Sequence, residues 1–401
     1  MRTVAIIGGG AAGMTAAITA ANDPRNNVIL YERQQRVGRK LLSTGNGRCN
    51  LTNTAASPER YNGGADFVKT ALSAYPPARV LEFFRALGLV TAEEYGGRVY
   101  PRSDAANSVV DVLRFALQKP SIAVRSACPV TAVRKKGGGF AVVTDEGEDY
   151  ADFVVVACGG CAGAKVGGVK DGYELLRSLG HRRTGLYPAL APITTEPEYP
   201  RALKGVRADA AVWLTGAARG ESRGEIQFTE KGVSGPAVFD LCRAVSTAGD
   251  GKKTLHINFL RGFARDETEA LLNNRRALSP ELPAEELFTG VLHNRVGKMA
   301  VKYAGVAGTK PMKELTDGEI RAAALAAMDF ALPVKGTEGF EQAQVTAGGM
   351  DTREFDPATM ESRLVPHLYA CGEVLDVDGE CGGFNLQWAW ASGLTAGRLS
   401  E

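Results

Sequence analysis

Three glycines and an acid near one end of the chain have the spacing of a dinucleotide site. An apolar run from Val4 to Ile7 enters Gly8, Gly9, Gly10, Ala11, Ala12 and Gly13, so Gly8, Gly10 and Gly13 stand in a G-x-G-x-x-G pattern. Gly8 permits a tight turn, Gly10 lets the backbone approach a pyrophosphate, and Gly13 lets the following helix pack close to the strand. The N–H groups and dipole of that helix start favour negative charge. A second apolar run, 27–31, delivers Glu32 nineteen residues after Gly13, where its carboxylate can accept hydrogen bonds from ribose hydroxyls.

The other end of the chain carries a second acid. Leu368, Tyr369 and Ala370 read as a short strand running through Cys371 to Gly372 and Glu373, and Gly382 to Gln387 then open a helix. The ribitol and pyrimidine edge of a flavin require this order. The acid bonds ribitol hydroxyls, and the helix start stabilises negative charge on the reduced ring. No second complete G-x-G-x-x-G follows a strand, so a separate nicotinamide domain is not expected and the single dinucleotide is assigned as FAD.

These residues need elements to hold them. Residues 38–53 form a polar, glycine-rich loop with neither helical nor strand periodicity. Apolar spacing predicts helices over 77–87 and 106–118, and strands over 123–133, 139–144 and 153–157, the last running into Cys158, Gly159 and Gly160. Pro188, Pro192, Pro197 and Pro200 cluster where the chain is expected to leave its first domain. Strands follow to about residue 260, the pattern is helical over 265–328, strand-like residues 344–346 bring the chain back, and a helix spans 385–398. A nucleotide-binding domain made of both chain ends, with an insertion between, is the expected plan.

Five runs resemble a known family: 38–53; Gly97 to Pro101 with Ser103; Phe228 and Thr229 with Gly232 to Ala237; Ala343 to Met350; and Cys371 to Gly379 continuing through Asn385 to Trp390. Together they resemble the BaiN/YhiN-type flavoproteins, also labelled aminoacetone-oxidase-like FAD proteins, over nearly the whole chain. The resemblance implies an α/β fold: a Rossmann-type FAD-binding domain from both chain ends (1–187 and 347–401), an inserted β-barrel-like domain (188–262, return strand 331–346) and a small helical subdomain (263–330). It implies FAD contacts at Gly8, Gly10, Ala11, Ala12, Gly13, Glu32, Arg33, Gly38, Arg39, Lys40, Leu41, Asn46, Asn50, Val130, Gly159, Gly372, Glu373, Gly383, Phe384, Asn385 and Leu386. One stretch departs from the family: Cys161 to Lys170 stands where relatives carry a Ser/Pro/Thr-Gly-rich run before Asp171, Gly172 and Tyr173. That loop is expected near the flavin and substrate.

Other residues have plainer readings. Cys158-x-x-Cys161 has redox-pair spacing, yet Cys158 ends a strand before a Gly-Gly turn, so packing is the expected role. Cys49, Cys371 and Cys381 fall in the flavin-associated loops as small buried residues, with a relay role for Cys381 open. His181, His256, His293 and His367 have no metal-ligand spacing, and no metal is expected. Arg39, Lys40 and Arg48 are expected to neutralise the pyrophosphate. Ser234, Gly235 and Pro236 look like a nucleophile turn but without a visible strand–elbow–helix context, and Trp388 and Trp390 are expected in the core. Tyr100 and Tyr187 sit at the rims of cleft loops, as structural residues or as proton donors.

With 47 basic and 45 acidic residues among 401, neither nucleic acid nor an anionic membrane is an expected partner. No apolar run approaches the roughly 20 residues of a membrane helix, and Val4 to Ile7 is a strand rather than a signal peptide. Seven cysteines suggest reduced thiols in a cytoplasmic setting. The resemblance implies an NAD(P)H-driven FAD reductase acting on the conjugated C=C of a small hydrophobic carbonyl substrate, such as a 3-oxo-Δ4 steroid or bile acid. Tyr187, Tyr100 or Cys381 would handle the proton. Oxidation of a small amine such as aminoacetone and a structural flavin in an RNA-binding protein are the other readings. The oligomeric state is not legible.

Overall fold

The computed structural model describes residues 1–400, which divide into two compact units, 1–188 with 340–400, and 189–339. The first is built on a five-stranded parallel sheet. Its strands are β1 (Arg2–Ile7), β2 (Asn26–Tyr31), β3 (Ile122–Arg125), β4 (Phe153–Val156) and β5 (Leu368–Ala370), in spatial order β5-β4-β1-β2-β3. Strand β1 pairs with β4 from Val4 against Phe153 and with β2 from Arg2 against Asn26, and β5 joins β4 from Leu368 against Val154. Val4, Ala5, Ile6, Val154, Val155 and Val156 are fully buried. Continuous apolar runs, rather than alternating ones, suit parallel strands covered on both faces.

The helix after β1, Ala11–Ala20, is apolar on every side because it is enclosed. The helix Phe384–Ala396 packs against it closely enough that a Cβ on Gly397 would lie 2.5 Å from Ala16 O. Trp388 and Trp390 are buried, their indole N–H groups donating to Gly372 O at 3.1 Å and Leu51 O at 2.8 Å.

The second unit holds a closed barrel of six strands in the order Ile193–Thr195, Gly232–Ser234, Gly220–Phe228, Arg207–Gly216, Lys253–Asn258 and Phe330–Thr337. Its core joins Val212, Leu214, Ile226, Leu255 and Ile257 to Val238 and Leu241 of the helix Pro236–Thr247. A separate cluster, with Leu272, Phe288, Ala300 and Ile320, binds the helices Arg265–Leu278, Asn294–Tyr303 and Asp317–Met328.

Several local readings change. The run 123–133 is two strands: β3 ends at Arg125, Ala127 turns with φ of +55°, and Val130–Lys136 starts an antiparallel hairpin. Pro129, lacking an N–H, cannot continue a ladder. A helix at Ala65–Ala74, whose Phe67, Val68, Ala71 and Leu72 are buried, has a helical pattern that the sequence reading passed over. Gly235, with φ of +104°, does join a strand to a helix, so the context that Ser234 lacked in the sequence is present, inside the barrel.

Candidate flavin site

At the end of β1 the chain turns at Gly8, with φ of +111°, where an added Cβ would lie 2.5 Å from Ala157 O at the end of β4. A Cβ on Gly13 would run into the Gly8 carbonyl oxygen. Gly10 is different: no atom lies within 4 Å of a Cβ placed there, and the same holds at Gly159, just past the end of the neighbouring strand β4. The helix begins with no side-chain cap, and Met14 N donates to Gly10 O at 3.0 Å. The N–H groups of Ala11, Ala12 and Gly13 therefore have no partner within the helix. Gly38 N donates to Gly9 O at 2.8 Å, folding the next loop back on this turn.

Glu32 leaves β2 with each carboxylate oxygen held once: Oε2 accepts from Gly9 N at 2.8 Å, and Oε1 from Gln34 N at 2.6 Å. Burial raises its pKa above the ordinary value, opposed by those two bonds and by Arg33. One further lone pair per oxygen remains for vicinal hydroxyls. Cys128 N donates to Glu32 O at 2.9 Å, and Val130, two residues on, is buried. Arg33 pairs with Asp171 at 2.6 Å.

The far end is built from three distant stretches. Gly372 packs on Ala12, and its N–H donates to Ser392 Oγ at 2.9 Å. Glu373 accepts from Lys40 Nζ at 2.8 Å and from Thr346 N at 2.8 Å. Gly383 caps the last helix with φ of +102°, and its Cβ would meet Thr52 O at 2.5 Å and Asn50 Oδ1 at 2.9 Å. Asn50 Oδ1 is buried without a hydrogen-bond partner. Phe384 is buried, its carbonyl accepting from Tyr61 Oη at 2.9 Å, with Leu386 partly buried beside it. Asn385 spends its amide on Gly379, at 2.8 Å both to N and to O. Leu41 is buried, and Asn46 is exposed with φ of +56°.

The three cations of the loop have separate partners. Arg39 donates to Gln34 Oε1 at 2.7 Å and Lys40 meets Glu373. Arg48 is held by Glu94 and Asp104 and stacks 4.0 Å over the Tyr100 ring. The expectation that Arg48 neutralises a pyrophosphate is corrected: two acids from an adjacent strand and turn already take its charge. Tyr100 is buried, and burial raises its pKa, with Cys381 within electrostatic reach. Tyr187 is 39% exposed with its ring over Gly185, on a segment tied to Gly349 through Thr184 N at 2.9 Å.

Cys158 and Cys161 form no disulfide. Cys158 Sγ faces Ile7 O at 3.4 Å with its thiol pushed up to about 12 by burial, while Cys161 lies beside Thr346 Oγ1. The loop that follows runs along Gln34 and Lys40, with Gly163 N donating to Phe340 O at 2.9 Å. His181 links Glu354 at 3.1 Å to Ser362 Oγ at 2.9 Å, but the imidazole is fully enclosed, and that hydroxyl also accepts from Leu364 N and Val365 N. Among the described residues no group of three or more His, Cys, Asp or Glu is placed to hold a metal ion. A surface cavity of about 380 Å³, lined by residues including Arg134, Lys135 and Ser178, contains none of these site residues.

The residues present fit FAD. The space before Gly10 and Gly159 admits a pyrophosphate to bare N–H groups, the two acids stand where two sugars are expected, and the orphaned Asn50 oxygen awaits a donor at the flavin end. Thr346 had gone without a role in the sequence reading. Its signal was its place in the run 343–350.

A parallel sheet with a Gly-rich turn, an acid past each of two strand ends and a second helix start define a flavoprotein of the dinucleotide-binding class, a flavin-dependent oxidoreductase with FAD as its cofactor. The chain belongs to the HI0933-like protein Rossmann domain family, whose model matches residues 2–399. It is 37% identical over 406 residues to a 3-dehydro-bile acid delta(4,6)-reductase of Clostridium scindens, covering 100% of this chain and 99% of that one. It is 30% identical to a ribosomal RNA dihydrouridine synthase of Escherichia coli, covering 96% and 95%. Among solved structures, a 3-ketosteroid delta1-dehydrogenase from Sterolibacterium denitrificans shares the fold, with a TM-score of 0.53, 14% identity and 99% of each chain covered. Among the described residues no helix is long and apolar enough to cross a membrane.

Proposed function

We propose that the protein reduces a carbon–carbon double bond conjugated to a carbonyl, in a small hydrophobic substrate of the 3-oxo-Δ4 steroid or bile-acid class, with NAD(P)H as electron donor. The observation that carries this reading is the match along the full length of both chains to the bile-acid reductase. FAD, when bound, supplies hydride transfer to and from carbon. The Gly8–Gly13 turn and Glu32 would hold its adenylate half, and Glu373 and the helix start at Gly383 would hold the other. Reduction would add hydride at the substrate's β-carbon, with hydrogen-bond donors on the carbonyl oxygen and an acid to protonate the α-carbon. We assign that acid to Tyr100 rather than Tyr187 or Cys381, since its ring packs against Gly45 of the loop 38–53 with the Arg48 guanidinium 4.0 Å over it.

The test is anaerobic bleaching of the yellow protein with NADH or NADPH, followed by recovery with a panel of enones. Tyr100→Phe should slow enone-dependent recovery about 100-fold and leave bleaching unchanged. No recovery with any enone would sink the reading. Oxidation of a small amine is not favoured, because the relatives matching along the whole chain bear the names of a reductase and a dihydrouridine synthase. The second of these names favours one other reading: uracil also carries a C=C conjugated to a carbonyl, so the same chemistry would apply to a base in RNA. Recovery with a uridine-containing ribosomal RNA fragment, and not with steroid enones, would select it.

A further inference from the structure

Glu373 is held at both oxygens by groups far away in sequence, and one of them is the ammonium of Lys40. The approach is close by construction. A Cβ on Gly160 would run into Thr346 Oγ1 and lie 2.7 Å from Glu373 Oε1, and Thr346 Oγ1 is itself fixed by Ala162 N at 3.0 Å. The pair is largely sheltered, with side chains 30% and 20% exposed. The other titratable groups that sense Glu373 are Cys161 and Tyr173, and burial raises the pKa of both, so they stay neutral. Lys40 is thus the charged neighbour that faces the carboxylate directly.

We propose that Lys40 is a positioning residue for FAD that acts through Glu373 rather than on a phosphate. A carboxylate oxygen that accepts one bond keeps a second lone pair. With Thr346 N on one oxygen and Lys40 Nζ on the other, the carboxylate plane cannot rotate, and the two remaining lone pairs point at fixed places, as two neighbouring hydroxyls of a ribitol chain require. The ion pair also ties the loop 38–53 to the tip of β5 and so links the two chain ends. Preorganisation of this kind raises affinity by reducing what must be ordered on binding. The inference rests on the assignment of FAD to this site.

The test is a double-mutant cycle on FAD affinity of the apoprotein, read by flavin fluorescence, with the melting temperature of each apoprotein measured alongside. Lys40→Met should weaken FAD binding about tenfold and Glu373→Gln by a similar factor. The double variant should bind no worse than the weaker single, and Lys40→Arg should recover most of the loss. Additive losses, a Lys40→Met protein that binds like the wild type, or no recovery with arginine would each overturn the proposal. A wild-type protein that binds no FAD would instead overturn the site assignment, a separate outcome.

Discussion

The two helix starts that face the cleft are alike in composition and opposite in construction. Each begins at a glycine with no side-chain cap, and each helix is buried on nearly every side. In front of Gly10, at the first, there is open space; around Gly383, at the second, Thr52 O and Asn50 Oδ1 crowd in. On the proposed reading, one end of the dinucleotide would be met by bare backbone, which reads charge and little else. The other would be met through side chains and carbonyls of the loop 38–53, where shape can be specified. The difference teaches where selectivity can arise: phosphate binding tolerates any chain that leaves room, whereas the flavin end depends on a loop more than 300 residues away in sequence.

The largest effect expected from breaking this contrast is at Gly13. Gly13→Ala should cost about 3 kcal/mol or more in urea unfolding and leave protein without flavin, because the methyl would collide with Gly8 O. Gly383→Ala comes next, at about 2–3 kcal/mol, since it combines a left-handed φ with the Thr52 carbonyl at 2.5 Å. Gly10→Val separates cofactor from fold: a Cβ there meets no protein atom within 4 Å and its φ of −82° suits any residue. Its melting temperature should stay near wild type while FAD affinity falls about 10- to 100-fold, on the order of 1.4–2.8 kcal/mol. A comparable loss at both glycines in stability alone would erase the distinction between the two starts.

The smallest effect is a pH slope. Glu32 has its pKa raised in the folded chain above the ordinary 4.5, with burial the main cause. A carboxyl raised by folding contributes its stability below the unfolded value, and that contribution is lost as pH rises through the folded value. The apoprotein should therefore weaken as pH rises above about 4.5, and Glu32→Gln should flatten that part of its unfolding profile. An unchanged slope in the variant would remove Glu32 as its source.

The contrast also accounts for what could be read from sequence. Gly8, Gly10, Gly13 and Glu32 lie within one strand–helix–strand unit, so local order alone marks them as a group. Gly372, Glu373 and Gly383 likewise fall between a short strand and the last helix, in the order the sequence suggests. The partners of those residues were not: Lys40 and Glu373 are separated by 333 positions, and no periodicity links them. Arg48 carried the right charge in the right loop, but Glu94 and Asp104, which claim it, come from segments with no motif of their own. The helix Ala65–Ala74 had buried apolar positions in helical order yet was hidden between Gly63-Gly64 and Pro76-Pro77. Short-range grammar marks where a ligand meets backbone; the side-chain network behind it is a property of the closed fold.

Strand β5 and the last helix complete a sheet and a cleft that β1 began. During synthesis, the Gly10 turn leaves the ribosome long before residues 368–396 exist. The nascent chain must carry the edge of β4 uncovered through the production of the whole barrel unit. Flavin loading must therefore wait until residues 368–396 have been made, and a ribosome that stalls within the barrel would release a chain with an unfinished sheet and half a binding site.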